Sequence, residues 1–207
     1  MPELDQAIPL PRKNEAVTEF LKTRRSNLAK LMGEPGPSEA ELTELLKIAA
    51  RVPDHRKLTP WRFVVFAGQA RADFGQHIGA AFMKSNPEAS QDRAIFEGGR
   101  FLRAPVVVGV ISSPVDCKRA TPIWEQQLSS GIVCYNLMIA AQAAGYGAQW
   151  LTEWYGYDPD IHAVLGMGAG DQVAGFVYIG TALERSKERV RPDMATKISY
   201  WLSLIHI

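Results

Sequence analysis

Between Ile123 and Ala144 the apolar residues Leu128, Ile132, Val133, Tyr135, Leu137, Met138, Ile139, Ala140 and Ala141 cover nearly the whole circumference of a helix. A helix apolar all round is buried all round, either at the centre of its own domain or in an interface with a second copy. The apolar run from Ile132 to Tyr146 is broken by Asn136 and Gln142 and falls short of the roughly 18 residues that a membrane span requires. The segment is therefore expected both at the centre of a soluble domain and in a homodimer interface, with no membrane partner.

The elements around it follow from local signals. Residues 1–13 carry three prolines and no periodicity and read as an arm. From Asn14, an N-cap, the positions Val17, Phe20, Leu21, Leu28 and Leu31 recur at helical spacing. Thr23-Arg24-Arg25-Ser26-Asn27 interrupts that face in mid-helix. After the breakers Gly33, Pro35, Gly36 and Pro37, the capping box Ser38-Glu39-Ala40-Glu41 opens a helix running to Val52. Pro53 ends it, a polar loop follows to Pro60, and Trp61–Ala67 reads as a strand. Helices are expected near 70–83 and 87–102. Val106–Ile111, six apolar residues in a row, marks a strand buried on both faces. Gly145 supplies a C′ glycine for the long helix. A strand is expected from Ala148 to Thr152, a short helix from Asp158-Pro159 to Leu165, and a last strand over 172–181. This alternation argues an α/β or α+β sandwich.

Lys and Arg number 23 against 22 Asp and Glu, a net charge of +1, so no broad basic field points to nucleic acid. The two cysteines, Cys117 and Cys134, lack CxxC spacing and the N-terminus lacks an apolar leader core, which points to the cytoplasm. The four histidines, His55, His77, His162 and His206, lack ligand spacing, so no metal is expected. There is no G-x-S-x-G motif, and the glycines at 166, 168 and 170 precede a strand where a dinucleotide fingerprint follows one.

Three cationic spots remain: Arg24-Arg25-Ser26, the Arg51/His55/Arg56/Lys57 loop, and Lys187/Arg189/Arg191. A phosphate needs two or three convergent charge-assisted donors. Taken singly, each spot is an ordinary solvated face. The loop stands out because its ends are held by apolar elements while its middle faces solvent, where binding groups are often mounted. Trp61, Trp124, Trp150 and Trp154 suit either a flat ring pocket or core filling.

In order, Arg-Arg-Ser, Arg-Val-Pro-Asp-His-Arg-Lys-Leu-Thr-Pro-Trp-Arg-Phe, Ala-Pro-Val-Val-Val, Ala-Ala-Gln-Ala-Ala-Gly-Tyr-Gly-Ala and Gly-Phe-Val-Tyr-Ile-Gly-Thr resemble the nitroreductase family of FMN flavoproteins, in its compact branch. The resemblance covers residues 14–201, a single domain, and leaves 202–207 as an apolar tail. It implies an α+β fold: a three-layer α/β sandwich with a central, mostly antiparallel sheet flanked by helices. It also implies a homodimer with two FMN sites built at the interface from both subunits. By the same resemblance, Arg24, Arg25 and Ser26 match the segment that holds the FMN phosphate and ribityl chain, and Lys187 and Arg189 match a basic pair reaching that phosphate. Arg51, Pro53, Asp54 and His55 match the loop laid over the flavin by the other subunit. Trp150, Leu151 and Thr152 match the strand end whose backbone meets the isoalloxazine edge.

Two positions depart from the family pattern. Leu28 stands where many members carry a cation near flavin N1, which leaves Arg51 of the partner subunit as the candidate donor. Thr59 replaces a common glutamine. The implied activity is transfer of hydride from NADH or NADPH through FMN to nitroaromatic, quinone or similar acceptors, with no side chain required as acid or base in the first half-reaction. The alternatives are a non-catalytic or redox-sensing FMN protein, or another flavin reaction such as dehalogenation.

Overall fold

The computed structural model describes residues 1–201, so the tail expected over 202–207 lies outside the described residues. In chain order the elements are α1 (Glu15–Thr23), β1 (Met32–Gly33), α2 (Glu39–Ala49), β2 (Trp61–Ala67), α3 (Ala70–Ser85), α4 (Gln91–Gly98), β3 (Val106–Ser112), α5 (Ile123–Ala143), β4 (Gly147–Leu151), α6 (Pro159–Val164) and β5 (Gln172–Ala182). Local chemistry sets many of these boundaries. Ser38 Oγ accepts from Glu41 N–H at 3.3 Å while the Glu41 carboxylate accepts from Ser38 N–H at 2.9 Å, a complete capping box at the start of α2. Asp158 caps α6 with its side chain alone, accepting from the Asp160 and Ile161 N–H groups, with Pro159 in the first turn.

Every pairing in the sheet is antiparallel. β5 is the hub, bonded to β1, β3 and β4, and β2 completes the sheet on the far side of β3. All seven residues of β3 are buried, because helices cover both faces. Side chains alternate between faces with the two-residue period of a strand. Val107, Ile111, Phe176 and Tyr178 meet Phe74, Ile78, Phe101 and Ile161 from the α3 and α6 side. Val108, Val110, Val177 and Ile179 meet Leu42, Leu45, Val133 and Leu137 from α2 and α5. Phe101 sits at the centre of the first core, its ring 4.7–5.9 Å from those of Phe74, Tyr155, Phe176 and Tyr178. Truncating such a ring to Ala costs about 3–5 kcal/mol. The result is the expected three-layer α+β sandwich.

Several expectations are corrected. α1 ends at Thr23, and Arg24 leaves helical geometry with φ −58° and ψ 141°, so Arg24-Arg25-Ser26 lies in extended chain beyond the helix. Asn27 N–H donates to Ala148 O at 3.1 Å, a long-range bond that outweighs the helical spacing of Leu28 and Leu31. The helix expected over 87–102 is the shorter α4, followed by a 3₁₀ turn over Gly99–Arg103. The short β1 had no sequence signal. Apart from these corrections, α5 lies against the core on one side and keeps an open face in the single chain, where Ile123, Trp124, Leu128, Ile132 and Tyr135 are 40–67% exposed.

Candidate functional site

Four polar residues of α5, Gln142, Asn136, Ser129 and Ser130, anchor the two loops that carry the candidate groups. At one end, Arg24 Nε donates to Gln142 Oε1 at 3.0 Å, and Gln142 Nε2 donates to the Arg25 carbonyl at 2.5 Å. Ser186 Oγ donates to the Ser26 carbonyl at 3.0 Å, and Arg25 Nε donates to the Lys187 carbonyl at 3.1 Å. The extended chain after α1 is thus sewn to the segment after β5. Between them lies a cavity of about 350 Å³ lined by Arg25, Ser26, Asn27, Leu28, Ser186 and Lys187 among others. Three cations, Arg25, Arg185 and Lys187, and the hydroxyls of Ser26 and Ser186 border it, the donor set a phosphate needs, together with one carboxylate, Glu184. Glu188 competes for Arg25, at 3.9 Å.

The predicted phosphate group is only partly assembled there. Arg25, Ser26 and Lys187 share the cavity wall. Arg24 instead turns to Gln142 and the Tyr135 ring, 6.0 Å from its centroid. Arg189 is exposed and outside that wall.

At the other end of α5, the loop from Arg51 to Pro60 is held by its backbone. Asn136 Nδ2 donates to Ile48 O at 2.8 Å and lies 3.4 Å from Arg51 O. Ser129 Oγ donates to Pro53 O, and Ser130 Oγ to Pro60 O, each at 2.9 Å. The Asp54 carboxylate accepts from the N–H groups of Leu58 and Thr59 at 3.1 and 2.7 Å, closing the turn from inside. His55 Nδ1 pairs with Glu125 Oε2 at 2.6 Å, with both side chains about half exposed. Arg51 is exposed. Thr59 has φ +48°, strained for a non-glycine residue by about 1–3 kcal/mol.

Trp150 lies against the middle of α5. Its indole N–H donates at 3.0 Å to the carbonyl of Ala174, the residue skipped where the β3–β5 register shifts. A Cβ on Gly175 would lie 1.8 Å from the indole nitrogen, so only glycine admits this ring. With Trp124, Gln127, Leu128, Gly131, Ile132 and Tyr135 it lines an apolar groove of about 480 Å³. Leu151 and Thr152 follow, half-buried.

The next residue escaped the sequence reading. Glu153 has φ +53° and ψ 177°, a region nearly exclusive to glycine. Arg100 Nη1 donates to its carboxylate at 2.8 Å and Arg103 Nη2 at 2.5 Å, and Tyr155 OH also bonds it. Glu97, only 1% exposed, pairs with Arg100 and accepts from the Trp154 indole at 2.8 Å. Burial raises the pKa of both carboxyls, but it is outweighed: hydrogen bonds from Arg100 and Trp154 on Glu97, and from Arg103 and Tyr155 on Glu153, together with the arginine charges, leave both below the ordinary carboxylate value. The signal for two of the anchors was present in the sequence, since Asn136 and Gln142 are the polar breaks in an apolar helix. Glu153 left no such signal.

Among the described residues no group of His, Cys, Asp and Glu converges as metal ligands, and no helix is long and apolar enough to cross a membrane.

The comparisons agree with this architecture. The sequence model of the nitroreductase family matches residues 21–181. The Escherichia coli protein named "Putative NAD(P)H nitroreductase YdjA" is 29% identical over 185 residues, 88% of this chain and 98% of its own. A nitroreductase-like family protein from Bacillus cereus superposes with a TM-score of 0.78 at 19% identity, over 94% of this chain and 99% of the other. A nitroreductase with bound FMN from Bacteroides fragilis gives 0.66 at 21% identity, over 91% and 100%. The chain belongs to the nitroreductase family.

Proposed function

We propose that the protein is an NAD(P)H-dependent FMN oxidoreductase that reduces nitroaromatic, quinone or similar acceptors. One observation carries the reading. The cavity between the chain after α1 and the chain after β5 is bordered by Arg25, Ser26 and Lys187, with its walls fixed by Gln142 and Ser186. This donor set fits the terminal phosphate of FMN. When bound, FMN supplies the chemistry by accepting hydride from NAD(P)H at N5 and passing reducing equivalents to an acceptor. Arg25 and Lys187 neutralise the phosphate and the Ser26 hydroxyl fixes its orientation. The backbone from Trp150 to Thr152, held by the indole bond to Ala174 and by the clamped Glu153, meets the ring edge. Trp150 and the groove residues of α5 keep bulk water from the reacting face.

The site is shared between two subunits. His55 is anchored on Glu125 and Arg24 on Gln142, 17 residues (142 − 125) further along one continuous helix. At 1.5 Å per residue that is about 25 Å, longer than an FMN molecule. His55 is therefore too far from the phosphate held by its own chain's Arg24, Arg25 and Ser26 to cover the same flavin, and the loop with Arg51, Pro53, Asp54 and His55 is assigned as a unit to the flavin of a second copy, packed on the exposed apolar stripe of α5. Lys187 and Arg189 assist the phosphate, Arg189 after a change of side-chain conformation. Residues 14–201 form one domain, since both cores share one sheet, and 1–13 an arm. The free Cys117 and Cys134 suit the cytoplasm.

Anaerobic titration tests the reading. The purified protein is expected to be yellow, to bleach on addition of NADH or NADPH, and to recover its colour with a nitroaromatic or quinone. A colourless protein that takes up no FMN, or a yellow one that neither nucleotide bleaches, overturns it.

A further inference from the structure

Beside His55 in the same loop, a second cavity of about 410 Å³ is lined by Arg56, Lys57, Cys117, Lys118 and Arg119. Two loops some sixty residues apart each contribute a pair of adjacent cations. In extended chain, neighbouring side chains point to opposite sides. Here Arg56 and Lys57 have φ of +66° and +57°, and both reach one wall. Arg56 Nη1 donates to Arg119 O at 3.1 Å and to Thr121 Oγ1 at 2.7 Å, tying the loops together. Four positive charges are crowded in a chain whose net charge is +1. Among the described residues none of the four forms an ion pair. Of the neighbouring carboxylates, Asp54 is committed to the Leu58 and Thr59 amides and Glu125 to His55, while Asp116, next to Cys117, is exposed and pairs with none of the four cations. Like charges at such spacing repel unless an anion is supplied, and an arginine fork suits a doubly charged tetrahedral oxyanion.

We propose that this cavity binds a phosphate monoester dianion, supplied either by the 2′-phosphate of NADPH or by free phosphate. The first source rests on the reading that this loop lies over a flavin of the partner subunit, so that a dinucleotide bound there extends its adenosine ribose toward Arg56, Lys57, Lys118 and Arg119.

Cys117 makes a reporter in the cavity wall. Its hydrogen bond with the Thr121 hydroxyl at 3.2 Å and the bond donated by the Thr121 N–H at 3.3 Å, with smaller help from the Arg119 amide and the Arg56 charge, bring its thiol down to about 7. Cys134 is fully buried and pushed up to about 12, so it stays silent. The test is the rate of alkylation of Cys117 by iodoacetamide, a neutral reagent, followed by peptide mass. It is run at constant ionic strength with adenosine 2′-monophosphate, inorganic phosphate or chloride. The 2′-nucleotide is expected to slow alkylation at least fivefold at concentrations where chloride does nothing. If inorganic phosphate protects equally well, the cavity takes free phosphate. If the nucleotide protects at lower concentration, and the double variant Lys118→Ala/Arg119→Ala both loses that protection and lowers the NADPH to NADH ratio of kcat/KM about tenfold, the ligand is NADPH. Unprotected Cys117 in all conditions overturns the site. Alkylation needs no flavin, so protection in a colourless protein sinks the flavin reading alone, and a yellow, bleachable protein with unprotected Cys117 sinks the cavity alone.

Discussion

Glu153 holds a backbone conformation that glycine adopts without strain, and it persists because its carboxylate is gripped by Arg100, Arg103 and Tyr155. Removing that charge leaves Arg103 partly buried without an anionic partner, while Arg100 keeps Glu97, so Glu153→Gln is expected to cost about 3 kcal/mol at pH 7. A carboxyl whose folded pKa is depressed adds stability that is complete above its unfolded value, near 4.3, and is lost as pH falls through the lower folded value. Urea midpoints should therefore show the variant well below wild type at pH 7, with the gap narrowing as pH falls below the unfolded value; a gap that does not narrow on acidification would refute the ion-pair account. The phosphate group also belongs to this scale. Arg25→Ala removes a charge-assisted donor worth about 1.5–3 kcal/mol, so FMN should bind roughly 10–100-fold more weakly, read by fluorescence titration. Arg24→Ala should also yield largely colourless protein with the dimer retained, here by loosening the Gln142 anchor. Full FMN occupancy in either variant counts against that assignment.

α5 shows how far an element can be read from its sequence. Its length was legible to within a residue, because a helical pattern runs without a breaker from the Pro122 start to the Gly145 stop. Its surroundings were not: Val133 and Leu137 point into the chain's own core while Leu128 and Ile132 remain exposed, and both sets are equally apolar. Composition cannot separate a face buried by the same chain from one buried by another. Leu128→Glu puts a charge in the middle of the exposed stripe, and in the proposed dimer it should weaken association about 100-fold, or roughly 3 kcal/mol. Sedimentation velocity of the variant would then show monomer at concentrations where wild type is dimeric; a monomeric wild type would remove the premise. The candidate site was legible as residue types more than as geometry. Arg25, Ser26 and Lys187 meet across more than 150 residues of chain through backbone carbonyls, and carbonyls carry no sequence signature.

At the scale of the molecule, strand positions were readable from Pro60, Pro105 and the β-branched runs that follow them. Strand order was not, because antiparallel neighbours here lie far apart in sequence: Met32 pairs with Ala182, and Val106 with Ile179. The hub position of β5 therefore has a consequence for biosynthesis. Until residues 172–182 leave the ribosome, only the β2–β3 pair of the sheet can form, and β1 and β4 have no strand to join. From the completion of β3 until β5 follows, the nascent chain would carry a half-built sheet with a largely apolar β3 edge, the kind of species that aggregates. Ribosome-bound chains stalled before residue 172 are expected to be digested by protease at rates near those of unfolded chain, with protection appearing abruptly once β5 has emerged. Gradual protection would mean that the layers close independently of their last strand.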